Sequence, residues 1–182
     1  MVSNFSYLNI EHRIVMPPAK KITEHEVKIL LETVTDPEVP VLSVIDLGIV
    51  RKIQVNNDVI TVTITPTYSG CPAMQRIEWD IRAVLLQAGY NQVKINTVLS
   101  PAWTTDWMSE HGKQKLKAFG IAPPNSTQVV CHTNLFAKEE AIQCPRCNSY
   151  HTKLLSQFGS TACKAMYQCE DCHEPFDYFK CH

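Results

Sequence analysis

Cys144-Pro145-Arg146-Cys147 and Cys169-Glu170-Asp171-Cys172 are two CxxC pairs separated by 21 residues, and no other feature constrains the fold of this chain as much. A CxxC turn sets two sulfurs on one side of a tight backbone loop. Two such knuckles brought together offer four thiolates in a tetrahedron, which suits Zn²⁺. Thr152 to Phe158, Lys164 to Gln168 and Phe176 to Lys180 read as strands. The spacing therefore predicts a three-stranded zinc ribbon over residues 144–182, a module too small to bury a sufficient core without its metal. A closed four-cysteine site keeps no open position for water, so its zinc is structural. Four cysteines also hold iron–sulfur clusters, and Cys163 and Cys181 in the same module leave that alternative open. Outside such a site these two read as small buried hydrophobes.

Six of the eight cysteines lie in this last segment. The start of the chain, Met1 to Lys21, shows no apolar run behind a basic end, so no secretory signal is read there. No segment approaches the ~20 apolar residues of a membrane span. A reducing, cytoplasmic setting is the expectation, where paired cysteines mean metal or thiol chemistry rather than disulfides. With a net charge of -1, nothing draws the chain to nucleic acid or an anionic membrane, and the ribbon has no basic cluster. The 45% hydrophobic content supplies a core.

Upstream, residues 1–21 show no period and are expected as a mobile leader. Thr23 and Glu26 form a capping box, Ile22 can staple on Val27, and Val27, Leu30, Leu31 and Val34 share one helical face. Pro37 is the expected stop. Residues 49–65 read as a hairpin turning at Asn56-Asn57-Asp58, with Ile60, Val62 and Ile64 alternating with threonines. A loop, Pro66 to Pro72, precedes a second helix whose face is Ile77, Ile81, Val84, Leu85 and Ala88, closed by Gly89. Val93 to Leu99 reads as a strand and 108–119 as a short helix. The predicted fold class is α+β over residues 22–120, a small sheet with helices packed on it, then a linker over 121–143 and the ribbon as a separate module.

Cys71 sits between Gly70 and Pro72 just before the second helix. The helix dipole is expected to lower its pKa, and Gly70 to allow close approach. The alternative reading is a half-buried core cysteine. Asp36, Glu38 and Asp46 are candidates to stand near it, or else turn formers. No histidine lies close enough in sequence to mark a catalytic pair. Trp103 and Trp107 flank a loop expected to be a lid or a partner-binding surface. Cys131-His132 stays unassigned.

Asp36-Pro37-Glu38-Val39-Pro40, Asp46-Leu47-Gly48-Ile49-Val50, Thr65-Pro66-Thr67 and Gly70-Cys71-Pro72 together resemble the DUF59, or MIP18-like, family. Ser100-Pro101-Ala102-Trp103-Thr104-Thr105-Asp106-Trp107, Gly120-Ile121-Ala122-Pro123-Pro124, Cys144-Pro145-Arg146-Cys147, Phe158 to Ala165 and Pro175 to Cys181 are similar to its PaaD branch, accessory proteins encoded with the phenylacetyl-CoA epoxidase. The resemblance implies a MIP18-like domain and a non-enzymatic maturation role in aerobic phenylacetate catabolism. It implies Cys71 as the functional thiol, with Asp36, Glu38 and Asp46 beside it, and a transient iron or iron–sulfur cargo. The implied partners are the epoxidase oxygenase and reductase subunits or the iron–sulfur assembly machinery. The implied client centre is the oxygenase di-iron site or the reductase cluster. The rival reading is a non-catalytic structural subunit of the oxygenase.

Overall fold

A computed structural model of the chain describes residues 22–57, 59–124 and 142–180. The leader, Asp58, Cys131-His132, Cys181 and most of the expected linker lie outside the described residues. Helix α1, Glu24–Leu31, opens with the expected capping box: Thr23 Oγ1 accepts from Glu26 N at 3.2 Å and Glu26 Oε2 accepts from Thr23 N at 2.9 Å. Ile22 and Val27 are both buried in the core that α1 faces. The helix stops at Leu31, well before Pro37, and a tight turn donates Val34 N to Leu31 O at 3.1 Å. Val34 is buried all the same, because the turn keeps it facing inward.

Strands β1 (Val50–Asn56) and β2 (Val59–Ile64) form the predicted antiparallel hairpin, and β3 (Gln92–Thr97) joins β2 in parallel. A parallel neighbour needs a crossover, which α2 (Ala73–Gln87) supplies. Ile60, Val62 and Ile64 are fully buried while the threonines between them are half-exposed. Each such side chain contributes about 1.5–3 kcal/mol. Ala73, Ile77, Ile81 and Leu85 line the buried face of α2; Val84 is half-buried and Ala88 is exposed at the helix end. Gly89 follows at φ +93°, the conformation that closes a helix.

Helix α3 (Glu110–Phe119) runs straight into β4 (Ile121–Ala122). Those two residues, assigned to the linker by sequence, pair in parallel with β7 (Pro175–Phe179). The ribbon sheet is therefore four-stranded, ordered β4-β7-β6-β5, with β5 at Thr152–Ser156 and β6 at Lys164–Cys169. The ribbon is not a detached module either. Cys163 and Phe179 belong to the main core, packed with Trp103 and the β2 side chains. An edge strand, β4, and the two side chains Cys163 and Phe179 join the ribbon to the first domain.

The turn Asp46-Leu47-Gly48 is the anchor for residues 103–115. The Trp103 indole N–H donates to Leu47 O at 2.8 Å, and Ser109 N donates to Asp46 O at 2.9 Å. Gly48 has φ +67°, and a Cβ there would lie 2.0 Å from the Trp107 carbonyl oxygen. Gly48→Ala must move backbone as well as adopt a strained φ, so it is expected to destabilise the fold by about 3 kcal/mol or more, read as a lower urea midpoint.

Candidate functional site

Two thiol sites emerge. In the ribbon, the sulfurs of Cys144, Cys147, Cys169 and Cys172 all lie within 4.8 Å of one another. Cys144 Sγ is 3.8 Å from Cys172 Sγ, and Cys147 Sγ is 3.5 Å from Cys169 Sγ. A tetrahedral ion with metal–sulfur bonds of about 2.3 Å separates its ligands by roughly 3.8 Å, so the four thiols fit zinc. The knuckles come from turns: Asn148 N donates to Cys144 O at 3.0 Å, and Asn148 and His173 take the left-handed conformation just after each pair. Backbone N–H groups of Cys172 and Asp171 point at Cys169 and hold its pKa down to about 7, while contacts with the neighbouring sulfurs push Cys147 up to about 12.

The second site is built around Cys71. The loop from β2 to α2 holds it half-buried, with Cys71 N donating to Tyr68 O at 3.2 Å. The dipole expectation for this thiol is corrected. Burial raises its pKa, and the charges of Glu38 and Asp36 raise it further, outweighing the Ala73 N–H and a hydrogen bond with Tyr68. Cys71 is therefore a neutral thiol at rest. Gly70 beside it borders open space, since a Cβ there would meet nothing within 4 Å.

Asp36 and Glu38 stand near enough to this thiol for their charges to act on it. Asp36 is buried and accepts from Glu38 N at 2.6 Å and Val39 N at 3.1 Å, a local turn that aims Glu38 across the domain junction. Glu38 Oε2 accepts from the Cys163 thiol at 3.4 Å, and Lys164 Nζ donates to Glu38 O at 3.4 Å. Cys163 itself is pushed up to about 12 by burial and by Glu38 and Asp36, against the hydrogen bond from Thr161. Sequence reasoning misses this placement. The run Phe158 to Ala165 marks the segment, but nothing local says that its cysteine meets a glutamate 125 positions upstream.

Asp46 is engaged elsewhere. Its Oδ2 takes Lys115 Nζ at 2.7 Å and Ser43 Oγ at 3.0 Å, and its Oδ1 takes Ser109 Oγ at 2.9 Å. The carboxylate is a clamp between the turn and α3. Trp103 is likewise removed from the partner-binding surface. It is 3% exposed, and its ring meets Phe179 edge-on at 6.2 Å. Trp107 is half-buried, with the Arg51 guanidinium over its ring, 3.3 Å from the ring centre.

Residues 24–96 match the model of an iron–sulfur cluster assembly protein family, and residues 129–180 match that of the PaaD zinc beta ribbon domain. Over 157 residues, 86% of this chain and 92% of the relative, the chain is 46% identical to an Escherichia coli K12 protein named provisionally as one of the subunits of 1,2-phenylacetyl-CoA epoxidase. It is also 40% identical over 52% of its length to an Fe-S protein maturation auxiliary factor of Porphyromonas gingivalis, covering 90% of that protein. A crystal structure of a DUF59 domain from Bacillus anthracis is 31% identical, with a TM-score of 0.49, over 51% of this chain and 90% of that one. With both family models matched in order along one chain and a relative aligned nearly end to end, the protein belongs to the PaaD family, DUF59-type domains that carry a C-terminal zinc ribbon.

Proposed function

We propose that this chain is a cytoplasmic, non-catalytic accessory protein that matures a metal centre of a phenylacetyl-CoA epoxidase system, carrying iron or an iron–sulfur cluster transiently on Cys71. The observation that carries the reading is the setting of Cys71: a half-buried loop thiol facing Glu38 and Asp36 and bonded to Tyr68. A protonated thiol binds metal only by releasing its proton, which weakens the complex near neutral pH. Weak, reversible binding suits handing a metal on. The ribbon cysteines hold a structural zinc, and the client docks at the Trp107 side of the molecule. The client is the oxygenase di-iron centre or the reductase cluster. No helix among the described residues is long and apolar enough to cross a membrane.

Cells lacking their own copy and complemented with Cys71→Ser are expected to yield epoxidase with iron content and activity reduced about tenfold or more. Maturation at the wild-type level sinks the carrier reading. A second reading, a structural component of the oxygenase, is favoured by the name of the Escherichia coli relative. It predicts stoichiometric co-purification with the oxygenase and an indifferent Cys71.

A further inference from the structure

Cys163 is a ribbon residue by sequence, yet it is not one of the four clustered ribbon sulfurs. It is 4% exposed and lies in the core of the first domain, against which Cys71 and Tyr68 also pack. Its sulfur donates to Glu38 Oε2 at 3.4 Å and lies 3.0 Å from Thr161 Oγ1. Glu38 and Asp36 act on both Cys71 and Cys163, and the Tyr68 hydroxyl that bonds Cys71 also feels Cys163. Cys163 thus touches the carboxylate whose charge also acts on Cys71, and both thiols pack on the same core.

We propose that Cys163 is the second thiol ligand of the cargo site, so that Cys71 and Cys163, with Glu38 between them, hold an iron–sulfur cluster across the domain junction. This rests on the carrier reading of Cys71 and adds to it a ligand that the first domain cannot supply. A buried thiol hydrogen-bonded to a carboxylate has a proton acceptor at hand when metal arrives. The Glu38 carboxylate takes the Cys163 proton as sulfur binds iron, and solvent at the half-exposed loop takes the Cys71 proton. Both steps leave the iron and sulfide oxidation states unchanged.

The spacing favours a cluster over a single ion. Ligands of one ion stand roughly 4 Å apart, and among the described residues only the four ribbon sulfurs reach such closeness as a group. Cys71, Glu38 and Cys163 do not gather that closely, so under this proposal the two thiolates bind different irons of one cluster and not one ion. Charge agrees. Lys164 is buried, with Nζ 3.4 Å from Glu38 O and 3.7 Å from Asp177 Oδ2, and it acts on Asp36. Lys180 Nζ also feels Cys163. The Lys164 cation beside Glu38 offsets part of the negative charge that a thiolate-bound cluster brings.

The test uses full-length, zinc-loaded protein under argon with ferric iron and sulfide as the probe, the oxidation levels of an oxidised cluster, so that no further oxidant is needed. Visible absorption and iron and sulfide per chain are the readout, for wild type, Cys71→Ser, Cys163→Ser and Cys163→Ala. Cluster uptake is expected to fall about tenfold or more in all three variants, counted per zinc-bearing chain so that unfolded protein does not enter. Normal uptake by either Cys163 variant with loss in Cys71→Ser overturns the two-thiol site and leaves the carrier reading standing. Normal uptake by Cys71→Ser, or none by the wild type, removes the carrier reading itself. Native mass spectrometry of the loaded wild type gives a check that no variant's folding can obscure. One cluster on a single chain supports the pair of thiols; a cluster found only on two chains, each giving Cys71, overturns it.

Discussion

Cys169→Ser is expected to unfold the ribbon and to lower the melting temperature of the rest of the protein with it. The ribbon's own buried cluster is only Ala122, Ile142, Cys144, Cys169 and Phe176, and two of those five are cysteines of the knuckles. Such a cluster cannot offset the entropy of ordering some forty residues, so the metal must. Structural zinc contributes apparent free energies of about 10–16 kcal/mol near neutral pH. The loss then spreads. Phe179 and Cys163 leave the main core, and β4 loses its partner β7 at the end of α3. Stripping the metal with a chelator should act the same way. Zinc per chain, protease resistance of residues 142–180 and a red shift of tryptophan emission as Trp103 becomes wet measure it. A metal-free protein with unchanged melting and emission would show that the ribbon stands without its ion.

Trp103→Ala is expected to cost about 3–5 kcal/mol, the usual penalty for deleting a buried tryptophan. For a chain of this size that is a fall in Tm on the order of 10 °C. Trp103→Phe separates the two contributions. It keeps a ring against Phe179 but leaves Leu47 O without its 2.8 Å donor, a loss of about 1–3 kcal/mol. An unchanged Tm in the alanine variant would mean that the indole does not bridge the two domains. Because Trp103 sits between the Asp46-Leu47-Gly48 turn and β7, its removal should also loosen Cys163 from Glu38. Cluster uptake by Trp103→Ala is therefore expected to fall below what its folded fraction alone predicts.

Local chemistry is readable wherever one element carries its own signal. The capping box at Thr23, the alternation of Ile60, Val62 and Ile64 and the face Ile77-Ile81-Leu85 all act within a few residues, and each stands where its pattern says. The paired cysteines are readable for the same reason: each CxxC is a local turn, and only tetrahedral chemistry is needed to join two of them. The end of α1 escapes the pattern because Pro37 marks where a helix cannot continue, not where it must stop, and the turn after Leu31 closes on its own carbonyls.

What the pattern misses lies in pairings between distant segments. Trp103 and Trp107 look alike in a polar loop, yet one is buried under Leu47 and Phe179 and the other is half-open. Asp46 and Asp36 sit in equally turn-like motifs, but α3 delivers Lys115 and Ser109 to the first and leaves the second to Glu38 and Val39. The pKa direction of Cys71 reverses because the dipole of α2 is a local influence, whereas burial and two carboxylates are supplied by the fold. So the amino-acid order alone carries the two cysteine knuckles, the α+β pattern and the presence of a loop thiol, since each is encoded by spacing along the chain. Whether Cys163 meets Glu38 depends on how the ribbon docks. That is settled by burial and contact across the junction, which no spacing records.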